Sequence, residues 1–310
     1  MKFVLPVAGN GVRLRPYTED LPKCLLPVAG KSILDWIVDD TLFLKPSETI
    51  FITGYKSEKV DEFLTKKEGW GKTRTVLQAN PQGLGEAISL SLPYVDDDEP
   101  LLIILGDTLF EADLSILADE KENVLYTYKV DDPKRFGVAV TNRSGHIERL
   151  VEKPQEFVSD EAIVGIYYIK DVKVLKECLK YLMDNNIRTR NEFQLTDALQ
   201  MMIEKGCQFH TAPVSKWLDC GLVETLLQTN AYVMSRNDNA AEMNEKYKMN
   251  AEVVSPCHIG KNCILDACKI GPNVSVGDNC VLVNCRIEDS IIWDDVRIDS
   301  GWLKHTVIHK

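Results

Sequence analysis

The segment "TIFITGYKSEKVDEFLTKKEGWGKTRTVLQ", residues 49–78, decides the fold class of this chain. It opens with an apolar run at 49–54, continues in an amphipathic helical pattern at 57–67, and closes with a second strand-like run at 73–78. A strand, a helix and a strand in this order are typical of α/β folds in which the sheet is buried and largely parallel.

The same rhythm extends to both sides of this segment. We therefore predict an α/β fold with a Rossmann-like mixed, mainly parallel sheet, whose ligands gather at the carboxyl ends of the strands. The other predicted elements are strands at 2–7 and 100–107, helices at 33–44 and 85–95, β segments between 124 and 170, and helices near 171–184 and 194–205.

The pattern changes after residue 251, where apolar anchors recur every five or six residues with small side chains between them. Such hexapeptide repeats wind into a parallel β-helix, here of about three coils and expected to be left-handed. We predict a first domain at 1–235, a polar linker or solvated helix at 236–250, and a β-helix domain at 251–310. The β-helix is expected to assemble subunits, so we predict a homo-oligomer. The anchors are Ile259, Leu265, Ile270, Val276, Leu282 and Ile287.

Composition narrows the possible partners. The chain has 310 residues and a net charge of −11, which argues against non-specific binding to nucleic acid or to an anionic membrane. Its apolar runs are too short for a membrane span, and its first residues lack the apolar core of a signal peptide. The nine cysteines form no C-x-x-C pair, so we interpret them as reduced thiols that fill the core of a cytoplasmic protein.

A glycine-rich loop follows the first predicted strand. Gly9 and Gly11 flank Asn10, so backbone N–H groups there can approach an anion without interference from a Cβ atom. Arg13 and Lys23 can supply positive charge to the same place. The loop is neither a P-loop nor a dinucleotide fingerprint. Taken alone, a G-x-G turn is more often a structural tight turn than a functional loop.

Two motifs in this region, "AGNGVRLRPYT" (8–18) and "LPKCLLPVAGKSI" (21–33), resemble the signature of sugar-1-phosphate nucleotidylyltransferases. The resemblance covers about residues 1–235 and is strongest to glucose-1-phosphate thymidylyltransferases, with similarity also to bacterial UTP-glucose-1-phosphate uridylyltransferases. Further segments match the family in order and spacing: "QANPQGLGEA" (78–87), "ILGDTLF" (104–110), "DDPKRFGVAV" (131–140), "VEKP" (151–154), "VGIYY" (164–168), "FQLTDAL" (193–199) and "WLDCG" (217–221).

The resemblance implies a reaction in which a sugar phosphate oxygen attacks the α-phosphorus of a nucleoside triphosphate and expels pyrophosphate. Arg13 and Lys23 would neutralise and steady the phosphates, and Asp107 and Asp219 would hold Mg²⁺, a hard cation that suits carboxylates. Lys153 would act in catalysis together with Arg13, Lys23 and Asp107. The alternative for the two aspartates is that they cap a turn and a helix.

The resemblance also assigns two binding sites. The nucleotide would contact Ala8, Gly9, Gly11, Arg13, Gln78 and Gly83, and the sugar phosphate would contact Gly137, Glu152, Lys153, Val164 and Gly165. A side-chain amide such as that of Gln78 suits a uracil or thymine ring. The alternatives are an exposed strand end for Gln78, a cross-strand ion pair for Glu152 and Lys153, and strand bulges for the glycines.

Three features depart from the family pattern. Val12 replaces the usual threonine, Ser32 stands where proline is common, and Pro6 lies within the first predicted strand. None of them removes a charged group, so they bear on nucleotide preference more than on the reaction.

We expect glucose 1-phosphate and dTTP as substrates, with UTP as the next candidate and a UTP-glucose-1-phosphate uridylyltransferase or another NDP-sugar pyrophosphorylase as the alternative. A non-catalytic regulatory relative is disfavoured, because the charged residues of the signature are all present. An acyltransferase acting through the β-helix would need a histidine base. The candidates for that base are His258, His305 and His309.

Overall fold

A computed structural model describes residues 1–247 and 249–310. The chain forms two compact units: the first comprises residues 1–10 and 37–217, and the second comprises residues 11–36 and 218–310. None of the helices in the described part of the chain combines the length and apolarity that crossing a bilayer requires. The domain boundaries at 235 and 250 stay predictions.

The strands and helices, numbered in chain order, have these bounds. The strands are β1 Lys2–Pro6, β2 Pro27–Val28, β3 Lys31–Ser32, β4 Glu48–Thr53, β5 Thr73–Leu77, β6 Leu101–Ile104, β7 Thr108–Ala112, β8 Asn123–Lys129, β9 Gly137–Thr141, β10 Ile147–Glu152, β11 Glu161–Ile169, β12 Phe209–Asp219, β13 Ala251–Val253, β14 Cys257–Ile259, β15 Ile264–Asp266, β16 Cys268–Ile270, β17 Val274–Val276, β18 Val281–Val283, β19 Cys285–Glu288, β20 Ile291–Ile292, β21 Arg297–Ile298, β22 Gly301–Lys304 and β23 Val307–Ile308. The α-helices are α1 Ile33–Asp39, α2 Ser57–Thr65, α3 Leu84–Ser91, α4 Val172–Asp184, α5 Leu195–Glu204, α6 Val223–Met234 and α7 Ala240–Tyr247.

The first unit is built on one mixed sheet in the order β5-β4-β1-β6-β11-β8-β12-β7, with β9 and β10 attached beside β11. β1, β4, β5 and β6 run parallel, whereas β11 is antiparallel to its neighbours β6 and β8. This topology confirms the predicted α/β class. Pro6 is the last residue of β1, where a missing N–H costs little, so its place in the sheet is explained.

The core of the first unit lies where the middle strands meet the helices α3, α4 and α5. The four residues of β6 are at most 1% exposed, which is why this strand is a continuous apolar run rather than an alternating one. Burial of each such side chain contributes about 1.5–3 kcal/mol, so the strands that end at the predicted site are firmly anchored.

The second unit contains three stacks of short parallel strands: β13-β16-β19-β22, β14-β17-β20-β23 and β15-β18-β21. This is the arrangement of a parallel β-helix, and all six predicted anchors are at most 3% exposed. The stacking continues to Ile308, whereas the sequence pattern fades after Ser290. The cysteines of this region are free and buried, which confirms their predicted role as core side chains; they are Cys257, Cys263, Cys268, Cys280 and Cys285.

The polar stretch near 234–250 contains the helix α7. Ala240 and Met243 of this helix are buried against the first strands of the β-helix, so α7 is a packed element rather than a solvated one. The sequence analysis also missed two strands of the first unit, β7 and β12.

The hairpin formed by β2 and β3 packs against α6 and the β-helix within the second unit. Its turn residues Ala29 and Gly30 both have positive φ angles, as tight two-residue hairpins require. The Ala29 N–H donates to Asn230 Oδ1 at 2.8 Å, and Ser275 Oγ donates to the same oxygen at 2.8 Å. The His258 imidazole occupies the space where a side chain at Gly30 would lie. The turn is therefore fixed by residues more than 200 positions later in the chain.

Candidate active site

The loop after β1 begins with Ala8 and Gly9. Ala8 is buried against Gly54, where an added Cβ would lie 2.8 Å from the Ala8 Cβ. Gly9 is different, because no atom lies within 4 Å of the position that its Cβ would take. Packing therefore does not demand a glycine at this position. The open space suits the approach of a ligand to the backbone, as the resemblance predicts.

Gly11 turns the signature segment, residues 8–33, with a positive φ of 57°. A Cβ on Gly11 would lie 2.8 Å from Thr18 Cγ2 and 3.2 Å from Lys23 Cβ, so the turn and Lys23 are in close contact. Thr18 Oγ1 donates to the Gly11 carbonyl at 2.9 Å. Lys23 begins a short 3₁₀ turn at Lys23–Leu25 and is only 9% exposed. Its positive charge is therefore held in a defined place beside the turn.

Arg13 and Asp219, more than 200 residues apart in sequence, meet beside Gly221 in the second unit. A Cβ on Gly221 would lie 2.9 Å from Asp219 Oδ1 and 3.3 Å from Arg13 Nη2, so a side chain there would collide with both groups. Asp219 is the last residue of β12, and its Oδ1 accepts from the Gly221 N–H at 2.9 Å. The two motifs "AGNGVRLRP" and "WLDCG" thus bring two oppositely charged side chains beside the same glycine.

Gln78 follows β5 directly and is 6% exposed, so it is not the exposed strand end that was the alternative. Its Nε2 donates to Glu86 Oε2 at 2.6 Å and more weakly to the Gly83 carbonyl at 3.5 Å. Gly83 has a φ of 122°, and a Cβ on it would lie 2.6 Å from the Phe193 carbonyl oxygen. Gln78 and Gly83 are therefore brought together, as the resemblance predicts for a base-binding site.

Asp107 lies one residue after Gly106, just beyond the carboxyl end of the central strand β6. A Cβ on Gly106 would overlap Val7 Cγ1 and lie 2.9 Å from the Pro6 carbonyl oxygen, so only glycine lets the chain pass there. Burial, followed by the negative charges of Glu152 and Asp107, raises the pKa of Tyr167. Asp107 and Glu152 both act on the Tyr167 hydroxyl, which places them in one region of the first unit.

The predicted sugar-phosphate residues of the first unit also converge. Gly137 pairs with Glu152 across β9 and β10, and a Cβ on Gly137 would lie 3.0 Å from Glu152 Oε2. Thr196 Oγ1 donates to Glu152 Oε2 at 2.9 Å, and Lys153 Nζ lies 3.3 Å from Glu152 Oε1. Lys153 has a φ of 47°, a left-handed conformation that costs a lysine about 1 kcal/mol.

Val164 and Gly165 lie in β11 at an irregularity of its pairing with β8. Gly165 has a φ of 92°, and its carbonyl accepts from the Leu105 N–H at 2.9 Å, which ties the bulge to the end of β6. The bulge was the structural alternative for Gly165, and the structure contains it. β-Bulges are also frequent next to active sites, where they change the direction of a side chain. A bulge at Gly165 is therefore compatible with the predicted contact to the sugar phosphate.

Sequence reasoning missed three residues that hold these predicted groups in place. Glu86 binds the Gln78 amide, Thr196 binds Glu152, and Arg190 Nη2 donates to the Lys153 carbonyl at 2.9 Å. Thr196 lies in the quoted "FQLTDAL" motif, which was the available signal for it. Glu86 lies in the quoted "QANPQGLGEA" motif together with its partner Gln78, which was the available signal for it. Arg190 lies outside the quoted motifs.

The metal and acyl-transfer expectations depend on different residues. Among residues 1–247 and 249–310, no group of three or more histidine, cysteine, aspartate or glutamate side chains is arranged to hold a metal ion.

The three histidines considered as the base for acyl transfer are packed against other residues or paired with them. Burial lowers the pKa of His258, His305 Nε2 lies 2.8 Å from Glu224 Oε2, and the His309 ring contacts Tyr17 edge-on at 5.2 Å.

Several known proteins are similar to this chain. It is 31% identical over 242 residues to the low-salt glycan biosynthesis nucleotidyltransferase Agl11 of Haloferax volcanii, which covers 76% of this chain and 66% of Agl11. It is 31% identical to the bifunctional protein GlmU of Methanocaldococcus jannaschii, over 82% of this chain and 60% of GlmU. The chain thus spans less than two thirds of the length of these relatives.

Two further comparisons cover a whole relative or nearly so. The UTP–glucose-1-phosphate uridylyltransferase AglF of Haloferax volcanii is 28% identical, over 78% of this chain and 100% of AglF. A crystal structure of UDP-glucose pyrophosphorylase complexed with UDP-glucose shares the fold, with a TM-score of 0.65 and 21% identity over 76% of this chain and 98% of that one. The profile of the nucleotidyl transferase family matches residues 2–236. The chain therefore belongs to the nucleotidyl transferase family, as its signature motifs predict.

Proposed function

We propose that this protein is a sugar-1-phosphate nucleotidylyltransferase that transfers the nucleoside monophosphate of a pyrimidine nucleoside triphosphate to glucose 1-phosphate and releases pyrophosphate. The observation that carries the proposal is the proximity of Arg13 and Asp219 beside Gly221, where a Cβ would lie 3.3 Å from Arg13 Nη2 and 2.9 Å from Asp219 Oδ1. Two family motifs from opposite ends of the matched region thus bring opposite charges to one place.

In this proposal, positioning and charge neutralisation supply most of the rate enhancement. Arg13 and the buried Lys23 bind the triphosphate and the leaving pyrophosphate, because phosphoryl transfer needs electrostatic stabilisation more than covalent help. Lys153 binds the sugar phosphate, and Glu152 accepts sugar hydroxyl groups while Thr196 holds it in place. Gln78 and Gly83 bind the base.

We also propose that Asp107 and Asp219 hold Mg²⁺. Both offer carboxylate oxygens, the donor class that this cation prefers, and Mg²⁺ typically takes one or two carboxylates and completes its shell with water and substrate phosphates. When bound, the metal ion supplies further neutralisation of phosphate charge. Removal of divalent cations with EDTA is expected to abolish activity, and added Mg²⁺ to restore it.

We place UTP ahead of dTTP, which reverses the order expected from the sequence. The support is the name of AglF, a uridylyltransferase that this chain matches over the whole AglF length. A cytoplasmic location and a homo-oligomer remain part of the proposal. The nine cysteines form no disulfide in the described part of the chain, which suits a reducing compartment.

The experiment is a screen of pyrophosphate release with UTP, dTTP, CTP, ATP and GTP, each combined with several sugar 1-phosphates. The expected result is release with UTP and glucose 1-phosphate, with dTTP as the next best nucleotide. If no combination releases pyrophosphate in the presence of Mg²⁺, the proposed function is wrong.

A further inference from the structure

We propose that Glu86 is a positioning residue that fixes the side-chain amide of Gln78 in one orientation and so selects bases that present a ring N–H group as a hydrogen-bond donor. The inference rests on the proposed function, because it concerns which nucleotide that site accepts. Glu86 is the third residue of helix α3, and it is a positioning residue because it acts through Gln78 rather than through the ligand.

The contacts around Gln78 involve mainly the nitrogen end of its amide. Nε2 lies 2.6 Å from Glu86 Oε2 and 3.5 Å from the Gly83 carbonyl oxygen. The Gln82 N–H also donates to Glu86 Oε2, at 3.3 Å, which holds the carboxylate from a second side. Gln78 itself is 6% exposed, so its side chain cannot exchange these partners for water without leaving the site.

These contacts decide the orientation of the amide. The two ends of a glutamine amide differ only in which is donor and which is acceptor, and a 180° rotation exchanges them. An ionised carboxylate has no hydrogen to donate. Rotation of the Gln78 amide would place its carbonyl oxygen against Glu86 Oε2, two acceptors at hydrogen-bond distance. Glu86 therefore keeps the NH₂ end toward itself.

The orientation leaves Gln78 Oε1 as the acceptor that can face a ligand. No donor in the part of the chain that the structure describes forms a hydrogen bond with it. Uracil and thymine present N3–H as a donor, which matches this oxygen. Cytosine N3 and adenine N1 are acceptors and would be repelled. Guanine presents N1–H beside O6, so it shares the required pattern and has to be separated by experiment.

A purely structural role for Glu86 makes a different prediction. An acidic residue in the first turn of a helix stabilises that helix whatever it contacts. Glu58 provides the matched control, because it is an exposed glutamate in the first turn of α2. Glu86→Gln and Glu58→Gln each remove one negative charge from the first turn of a helix, but only the first changes a partner of Gln78.

The test measures kcat/KM for pyrophosphate release with UTP, dTTP, CTP, ATP and GTP in the full-length wild type, E86Q and E58Q. A glutamine at position 86 can accept from or donate to Gln78, so both amide orientations become accessible and cytosine finds a donor. We expect the UTP-to-CTP ratio to fall by about 10-fold or more in E86Q and to stay unchanged in E58Q. A ratio within one preparation does not depend on the fraction of folded protein.

The outcomes separate the two proposals. If the wild type uses UTP and E86Q keeps the wild-type ratio, or if E58Q loses it equally, the inference about Glu86 is overturned. If the wild type releases no pyrophosphate, the proposed function fails, and calorimetric titration of UTP and CTP then tests Glu86 by binding alone. Use of GTP beside UTP by the wild type supports the hydrogen-bond pattern. Equal use of CTP and UTP by the wild type contradicts it.

Discussion

The parallel strands of the first unit end in two edges of opposite chemistry. At the amino edge, Glu48 begins β4 with a side chain only 2% exposed, and three cations surround it. Its carboxylate oxygens lie 3.0 Å from Lys2 Nζ, 2.9 Å from Arg74 Nε and 3.3 Å from Lys72 Nζ. The charges at this edge neutralise one another within the protein.

At the carboxyl edge, the same strands lead into glycines and small polar groups. β1 is followed by Ala8 and Gly9, β4 by Gly54, β5 by Gln78, and β6 by Gly106 and Asp107. Glycine leaves room beside the backbone, and an amide or a carboxylate can bind an external group. The difference teaches that the charges of one edge hold the sheet together, whereas the other edge carries the residues that we propose to bind substrates. Substitutions at the two edges are therefore expected to separate stability from activity.

The largest expected effect is that of Asp107→Asn at the carboxyl edge. The substitution keeps the shape and removes a charge assigned to Mg²⁺, so kcat for pyrophosphate release should fall about 100- to 1,000-fold. The melting temperature should stay within about 2 °C of wild type, because no core contact is lost. A kcat within a few-fold of wild type would remove Asp107 from the proposed mechanism.

Glu48→Gln at the amino edge should lower the stability of the protein and leave its activity unchanged. It removes the counter-charge that Lys72 and Arg74 share and leaves Lys2 with only its longer contact to Glu99 at 3.9 Å. The free energy of unfolding measured in urea should therefore fall by about 2 kcal/mol while kcat is unchanged. Burial would raise the pKa of Glu48, but Lys2, Lys72 and Arg74 together lower it below its ordinary value of 4.5. The stabilisation is therefore complete above pH 4.5 and is lost as the pH falls further. A difference between variant and wild type that does not shrink at all as the pH is lowered below 4.5 would contradict this assignment.

Gly83→Ala tests whether the base-binding loop depends on its backbone. The added Cβ would lie 2.6 Å from the Phe193 carbonyl oxygen and 2.8 Å from its nitrogen, at a φ of 122°. The loop must shift, so KM for the nucleotide should rise roughly 10-fold with a smaller change in kcat. Gly9→Ala is the control, because its Cβ meets no atom of the protein. It should leave the melting temperature unchanged.

The smallest expected effect is the difference in stability between two substitutions at Lys153. Ala and Gly both remove the amine and should lower kcat equally, but only Gly relieves the left-handed backbone at φ 47°. Lys153→Gly should therefore be more stable than Lys153→Ala by about 1 kcal/mol in urea unfolding. Equal stabilities would mean that the strain is relieved elsewhere.

Local patterns were sufficient to predict most of the sheet. β1, β4 and β6 are apolar runs bounded by turn residues, and α2 and α4 carry amphipathic patterns, so their positions follow from periodicity. β12 was missed, because Pro213 interrupts its pattern and its pairing partner β8 lies more than 80 residues earlier. Non-local pairing of this kind leaves no local signal.

In the candidate site, too, only features with a local sequence signal could be predicted. Asp107 and Gln78 could be located from the sequence, because each follows directly on a recognisable strand. Glu86 and Thr196 lie in quoted motifs, but the motifs do not say that they bind Gln78 and Glu152, because only the folded geometry shows these contacts. Arg190 lies outside the motifs, and its contact with the Lys153 carbonyl also follows from the fold alone.

The hairpin turn at Ala29 and Gly30 has a consequence for the making of the protein. Its hydrogen-bond partner Asn230 is translated 201 residues later, a delay of about 10–40 s at ribosomal speeds. The turn therefore leaves the exit tunnel long before Asn230, Ser275 and His258 exist. Until these residues are made, the turn lacks the partners that fix it, so the hairpin of β2 and β3 is expected to reach its final conformation only late in synthesis.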